Sequence, residues 1–285
     1  MAGVVATSTP LQAPRAQGPS GAASAPRAFA DLPGVRLSYI DTGGTGVPVV
    51  LMHAATGSSR VWEHQLSAFT AAGYRVIAYD RRGYGETTVT ASASQSHAAA
   101  DDLDHLMTSL RIDRFHLLGT AAGGIVSMDY ALSFPDRLRS LVIANSIVGV
   151  QDEEYLALGR RLRPSPQFEA LPPDFRELGP SYRAANPDGT RRWIELERAS
   201  HPEGTRPPPS TPRQTVTFAL LETLQVPTLL LTGDADLYTP PPVLQLFAKR
   251  IRNAESLVID GAGHSTYWEQ PEAFNRAVLA FVRKH

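Results

Sequence analysis

Cysteine is absent from all 285 residues, which removes disulfides, thiol nucleophiles and thiolate metal sites together. Long apolar runs are missing too. No segment approaches the ~18 consecutive apolar residues of a membrane span, so no membrane partner is expected. Neither sign of charge dominates: 27 Lys and Arg face 28 Asp and Glu, for a formal net charge of -1. No basic cluster stands out, which argues against a nucleic-acid partner. His, Asp and Glu do not gather at ligand spacing, so no metal site is read. Gly119-x-x-x-Gly123-Gly124 is not the G-x-G-x-x-G of a dinucleotide site, and no cofactor is expected.

Residues 1–28 are nearly all Ala, Pro, Ser, Gly, Thr and Val, with Arg15 and Arg27 as their charges. Such a stretch buries too little apolar surface to fold and reads as a disordered tail. Gly3-Val4-Val5-Ala6 is shorter than the apolar run of about 7–15 residues in a signal peptide. A cytoplasmic protein is the expectation.

What remains is large enough to bury a sizeable core, and its pattern is strand, then helix, repeated. Val35 to Asp41 alternates like a strand. Pro48 to Met52, Tyr74 to Tyr79, Leu141 to Asn145 and Pro227 to Thr232 are continuous apolar runs, as expected for parallel strands covered on both faces. Ser256 to Asp260 reads as the last strand. Trp62 to Phe69, Ala98 to Leu110 and Pro271 to Lys284 read as helices. The rhythm predicts a doubly wound, mostly parallel sheet whose functional residues lie in loops beyond the strands' carboxyl ends. Residues 29–146 and 225–285 form this α/β core. Residues 147–224, rich in Pro, Arg and Glu, break the rhythm and read as an inserted helical cap over the site. Its helices are expected at Glu153 to Arg163 and Arg191 to Arg198, with Arg160, Arg161, Arg163, Arg191 and Arg192 on solvated faces.

One stretch organises the chain. The apolar run from Phe115 passes through Leu118-Gly119-Thr120-Ala121-Ala122-Gly123-Gly124 into a helical pattern from Ile125 to Leu132. Strand, glycine-flanked turn, helix is the setting of the nucleophile elbow, G-x-Ser-x-G. Here its centre is Ala121. The frame is present and the attacking hydroxyl is not.

Four separated motifs, in order, give the chain from about residue 34 onward a resemblance to the α/β-hydrolase superfamily. They are His53-Ala54-Ala55, Asp80-Arg81-Arg82-Gly83-Tyr84-Gly85, Gly119-x-Ala121-x-Gly123-Gly124, and Gly233-Asp234-Ala235-Asp236 with Pro240, followed by Gly263-His264 with Glu269 and Pro271. The resemblance implies a Ser-acid-His triad. Ala121 then stands at the nucleophile position, His264 is the base, and Asp236 orients it, with Asp234 as the competing acid. Backbone N–H groups of Ala55 and Ala122 would form the oxyanion hole. His53 and the Asp80–Gly85 turn are expected to be structural, and Tyr238 and Trp268 to line either pocket or core. The remaining histidines read as surface residues (His64, His97, His105, His201, His285) or as a sheet-face residue (His116).

Small Thr120 and Ala122 resemble the elbow of serine esterases more than that of the Asp-type dehalogenases and epoxide hydrolases. The expected activity is hydrolysis of a small-molecule carboxylic ester, with small aromatic esters such as monoalkyl phthalates as candidates. Because an alanine methyl cannot attack a carbonyl, the chain as it stands should be inactive, as a substrate-trapping variant would be. Alternatively, Ala121 is natural. The protein is then a cofactor-free lyase or isomerase working through His264 and Asp236, or a ligand-binding receptor.

Overall fold

The computed structural model describes residues 25–90, 97–162, 166–201 and 210–285. The tail up to residue 24 and Arg163 lie outside them. Nine strands form one sheet: β1 (Arg27–Leu32), β2 (Val35–Asp41), β3 (Pro48–Met52), β4 (Arg75–Tyr79), β5 (Thr88–Val89), β6 (Phe115–Thr120), β7 (Leu138–Ala144), β8 (Thr228–Gly233) and β9 (Glu255–Ile259). The order is β1-β2-β4-β3-β6-β7-β8-β9, with β5 pairing on β2. From β4 to β9 the ladder is parallel, and β1, β2 and β5 close one side antiparallel. This is the mostly parallel, doubly wound α/β sheet that the alternation predicted.

Alternate side chains of the apolar strands feed two cores, because successive residues of a strand point to opposite faces. On one face Val50, Met52, Leu117, Leu141, Ile143 and Leu230 pack with helices α2 (Ala99–Ser109), α3 (Ala122–Ser133) and α10 (Pro241–Ala248). On the other, Val49, Leu51, Leu118, Val142, Leu229 and Leu231 meet α1 (Glu63–Ala71) and α12 (Pro271–Val282). Between β7 and β8 the chain runs through α4 (Glu153–Leu162), α5 (Pro166–Glu169), α6 (Pro173–Glu177), α7 (Pro180–Ala185), α8 (Pro187–Arg198) and α9 (Phe218–Leu221). Thr266–Glu269 forms a short α11. Several of these helices begin at proline, whose fixed φ and missing N–H suit the first turn. The insert reaches into both cores: Leu178, Trp193 and Leu196 join Trp62 and Tyr267, and Val148 and Tyr155 join Phe247. Among the described residues no helix is long and apolar enough to cross a membrane.

Two expectations need correction. The stretch read as tail, 1–28, ends too late, because Arg27 and Ala28 already belong to β1. The Arg27 guanidinium donates to Asp80 (2.7 Å), and that ion pair holds the strand's start to the sheet. The second concerns histidines. His64 is half-buried against Trp268, and His201 closes on two loops described below. Arg160, Arg191 and Arg192 do pair on solvated faces, with Glu153, with Asp188, and with Glu63 and Glu195.

Candidate functional site

All the singled-out residues fall at the carboxyl ends of neighbouring strands, where parallel α/β sheets carry their sites. Ala121 follows β6 directly and precedes α3, with φ 49° and ψ -118°. A positive φ in a non-glycine residue is uncommon and costs on the order of 1–3 kcal/mol. The turn is held from β7: Ala121 N–H donates to Ala144 O (3.0 Å), and Ser146 Oγ donates to Ala121 O (2.7 Å).

Beside it lies the loop after β3, the strand that pairs with β6. The two loops touch at Gly123. A Cβ there would sit against Met52 O and 2.6 Å from His53 O, closer than real side chains come. Gly123→Ala is therefore expected to push the Ala55 and Ala122 segments apart and cost about 1–3 kcal/mol, read as a lower thermal midpoint. An unchanged midpoint would show that the loops yield freely.

His53 sets the shape of its loop. The ring donates from Nδ1 to Ala54 O (2.7 Å) and accepts at Nε2 from Arg81 N–H (3.1 Å). Those partners fix the neutral tautomer. Burial, then the Arg81 charge, hold it well below the usual histidine range. Ala54 is buried and Ala55 exposed. His201, from the end of the insert's helical run, faces two carbonyls, Gly83 O (3.1 Å) through Nδ1 and Ala55 O (3.2 Å) through Nε2. Its ring also packs on Tyr84.

Asp236 and His264 meet, 28 residues apart in sequence, with Nδ1 2.9 Å from both carboxylate oxygens. The Asp236 carboxylate also accepts from Asn145 Nδ2 (2.9 Å), the Thr232 hydroxyl (2.9 Å), Tyr238 N–H (2.8 Å) and Thr239 N–H (2.9 Å). Burial pushes its pKa up, but the His264 charge and these donors outweigh burial and bring it to about 2. Asp234, the competing acid, accepts Ala262 N–H (3.3 Å) and, among the described residues, makes no bond to His264. Asn145 stands at φ 50° and also donates to Gly263 O (3.2 Å). The segment Asn145–Ser146 thus links the Ala121 turn to the Asp236–His264 pair.

The loop carrying His264 is tied down by Glu269. Its carboxylate gathers N–H groups from Gly179 (2.7 Å), Gly263 (2.9 Å) and Ser265 (3.1 Å), joining the insert to the loop. His264 N–H donates to Glu177 O (2.8 Å). The Tyr238 ring packs on the imidazole at 4.7 Å. Trp268 points elsewhere, into the second core, with Nε1 on Gly189 O (3.3 Å).

Glu177 was not foreseen. It sits in the insert, 7% exposed, with Oε2 4.0 Å from His264 Nε2, the nitrogen opposite Asp236. Burial lowers the imidazole pKa. Asp236 and Glu177 raise it by more, helped by Glu269, so that it reaches about 9. Burial likewise lifts the Glu177 carboxyl above its usual range, against the pull of His264. Nothing in an acid-rich, proline-rich insert marked this residue in the sequence.

Tyr238 also lines a cavity of about 220 Å3, together with Ile147, Tyr155, Leu162, Leu237, Val243 and the acidic Glu169. Among the described residues no group of three or more His, Cys, Asp or Glu is placed to hold a metal ion.

Known proteins agree with this architecture. The sequence profile of the alpha/beta hydrolase fold matches residues 47–271. A 2-hydroxy-6-oxononadienedioate/2-hydroxy-6-oxononatrienedioate hydrolase of Burkholderia vietnamiensis is 28% identical over 88% of this chain and 92% of its own length. The thermophilic esterase of Thermogutta terrifontis, solved with malate bound, superposes with a TM-score of 0.73 at 28% identity, covering 91% of this chain and 99% of that one. A bromoperoxidase of Bacillus anthracis gives 0.71 at 25%, over 90% and 100%. With the profile spanning most of the chain and the strand order and loop positions as described, the protein belongs to the α/β-hydrolase family.

Proposed function

We propose that this hydrolase-fold chain is a capped, serine-carboxylesterase-type scaffold whose nucleophile position is occupied by Ala121. One observation carries the reading: Ala121 holds φ 49° at a strand-to-helix turn. An alanine gains nothing from that conformation, whereas a nucleophile presented there is exposed to substrate. With Ser at 121, Oγ would attack an ester carbonyl while His264 took its proton and Asp236 held the imidazolium. The N–H groups of Ala55 and Ala122 would receive the oxyanion, and water would release the acyl group. The insert serves as the cap, and the mostly apolar cavity lined by Tyr238 suits a small or medium acyl or alkyl group. Glu177 and Glu269 beside His264 place a neutral ester ahead of an anionic half-ester such as a monoalkyl phthalate. A cytoplasmic setting and a small-molecule partner complete the proposal. Hydrolysis of p-nitrophenyl butyrate and of small aromatic esters by Ala121→Ser tests it. No gain in a folded protein would sink it.

A second reading keeps Ala121 as a working residue. The site then moves protons without a covalent intermediate. The carboxylate of Glu177 at His264 Nε2 favours it, since a serine esterase needs that nitrogen free to act as a base. The relative from Burkholderia vietnamiensis is, by its name, a hydrolase of a hydroxy-oxo dioate, a carbonyl compound that carries two carboxylates where this site's acids favour a neutral one.

A further inference from the structure

Among the described residues the Glu177 side chain makes no hydrogen bond to another element of the fold. Its backbone carbonyl receives His264 N–H, a task any residue at the end of α6 performs. Among the described residues its carboxylate accepts no hydrogen bond and has only the 4.0 Å approach to His264 Nε2. The neighbouring Glu269 carboxylate is spent on backbone N–H groups, whereas that of Glu177 is left facing the imidazole. Glu177 is 7% exposed and stands on the side of His264 opposite Asp236.

The charges around the imidazole decide what it can do. Asp236 lies on Nδ1, Glu177 faces Nε2, and Glu269 adds to both from α11. Tyr238 and Tyr267 are the neighbouring phenols, and Glu197 and Arg176 act on Glu177 from the insert. Held between carboxylates, His264 carries its proton at neutral pH and is an acid. The base that remains is Glu177. Burial raises its proton affinity above that of an ordinary carboxylate, against the pull of His264.

We propose that Glu177 is the catalytic base, and His264 the acid, of a proton-transfer reaction on a small neutral ketone or keto ester. The proposal rests on the second reading above. The carbonyl oxygen lies on the N–H groups of Ala55 and Ala122, and the apolar substituent fills the cavity lined by Tyr238. Glu177 takes a proton from the carbon next to the carbonyl. The C–H bond breaks, an O–H bond forms on the carboxylate, and the electron pair moves to the carbonyl oxygen. His264 gives its Nε2 proton to that oxygen, producing a neutral enol. Collapse of the enol returns this proton to His264, and Glu177 delivers its own to carbon, at the same or the conjugated position. Charge and protons balance without oxidant, reductant or cofactor. Neutral substrates are favoured because Asp236 and Glu177 flank the single imidazolium of His264. A substrate carboxylate would be repelled.

The test is hydrogen–deuterium exchange at the α-carbon of acetophenone and 2-tetralone in D2O, followed by NMR with the intact chain. The intact protein is expected to exchange faster than buffer. Glu177→Gln and His264→Gln each lose about 10²–10⁴-fold, and Ala121→Ser gains nothing. Exchange that survives Glu177→Gln but not His264→Gln overturns Glu177 as the base and leaves proton transfer standing. No exchange by the folded intact chain ends both. Should Glu177→Gln fail to fold, Glu177→Asp keeps the charge, withdraws it by one methylene, and is expected to slow exchange. An independent reading is the NMR titration of the His264 ring. It is expected near 9 in the intact chain and lower in Glu177→Gln, and an ordinary value in the intact chain overturns the pair.

Discussion

Ala121→Ser is expected to cleave p-nitrophenyl butyrate at pH 9 about 10⁶-fold faster than the chain as it stands. The magnitude follows from what a serine nucleophile is worth where its histidine and oxyanion donors are in place, ~8 kcal/mol of barrier. The substitution adds one oxygen to a Cβ already held at φ 49°, so the backbone strain is present beforehand and no new strain arises. The carboxylate for the imidazole is preset, with Asp236 2.9 Å from Nδ1 and saturated with donors. Failure of the serine form to hydrolyse any ester at pH 9, with its melting curve intact, would remove the esterase reading.

The same variant should show an unusual pH profile. Attack needs neutral His264, and burial is outweighed by Asp236 and Glu177, which hold the ring near pKa 9. The sign is that of a base with a raised pKa: kcat/KM rises with pH and levels off only above about 9. At pH 7, two units lower, roughly one site in 100 carries a neutral ring, and the gain over the alanine form shrinks to about 10⁴. Adding Glu177→Gln removes one of the raising charges and should move the limb to lower pH. A flat profile between pH 6 and 9 would show that Glu177 does not act on the base.

What the sequence disclosed and what it hid have physical reasons. β3, β4, β6, β7 and β8 are apolar runs because both faces are covered, and such runs are visible without a partner. Asp236 was visible because it lies just past such a strand, β8, in a motif of fixed spacing, and His264 by its motif alone, since β9 before it is largely exposed. β1 was missed because Arg27–Leu32 is half-exposed and held in part by an ion pair to Asp80, fifty-three residues on. β5 is two residues long and exposed. Glu177 and His201 act on loops far away in sequence, and neither carries a local pattern. Asn145 had a local cue, a polar residue closing an apolar strand. Its bridging position depends on φ 50° and on partners at Asp236, Gly263 and Thr266 that only the folded chain assembles.

Arg82→Ala is expected to be the most destabilising of the substitutions outside the site. The Arg82 side chain is 6% exposed and meets Asp102, equally buried, in a bidentate pair at 2.7 and 2.8 Å. Its remaining N–H groups donate to Gly34 O (3.0 Å) and Pro33 O (2.8 Å) in the β1–β2 turn. One guanidinium therefore ties the antiparallel edge of the sheet to α2 and to the loop that follows β4. That loop's Arg81 N–H, in turn, fixes His53 beneath the Ala54–Ala55 segment. Truncation leaves the Asp102 carboxylate buried, with His97, 4.0 Å away, the nearest basic side chain among the described residues. Removing one partner of such a pair costs about 3–5 kcal/mol, or a fall in melting temperature on the order of 10 °C for a chain of this size. Replacing both members, Arg82→Met with Asp102→Leu, removes the uncompensated charge and should recover a large part of the loss. Comparing the melting curves of the parent, Arg82→Met, Asp102→Leu and the double variant separates the two contributions. A single mutant as stable as the parent would show that water reaches Asp102 and that the edge of the sheet is held by its ladder alone.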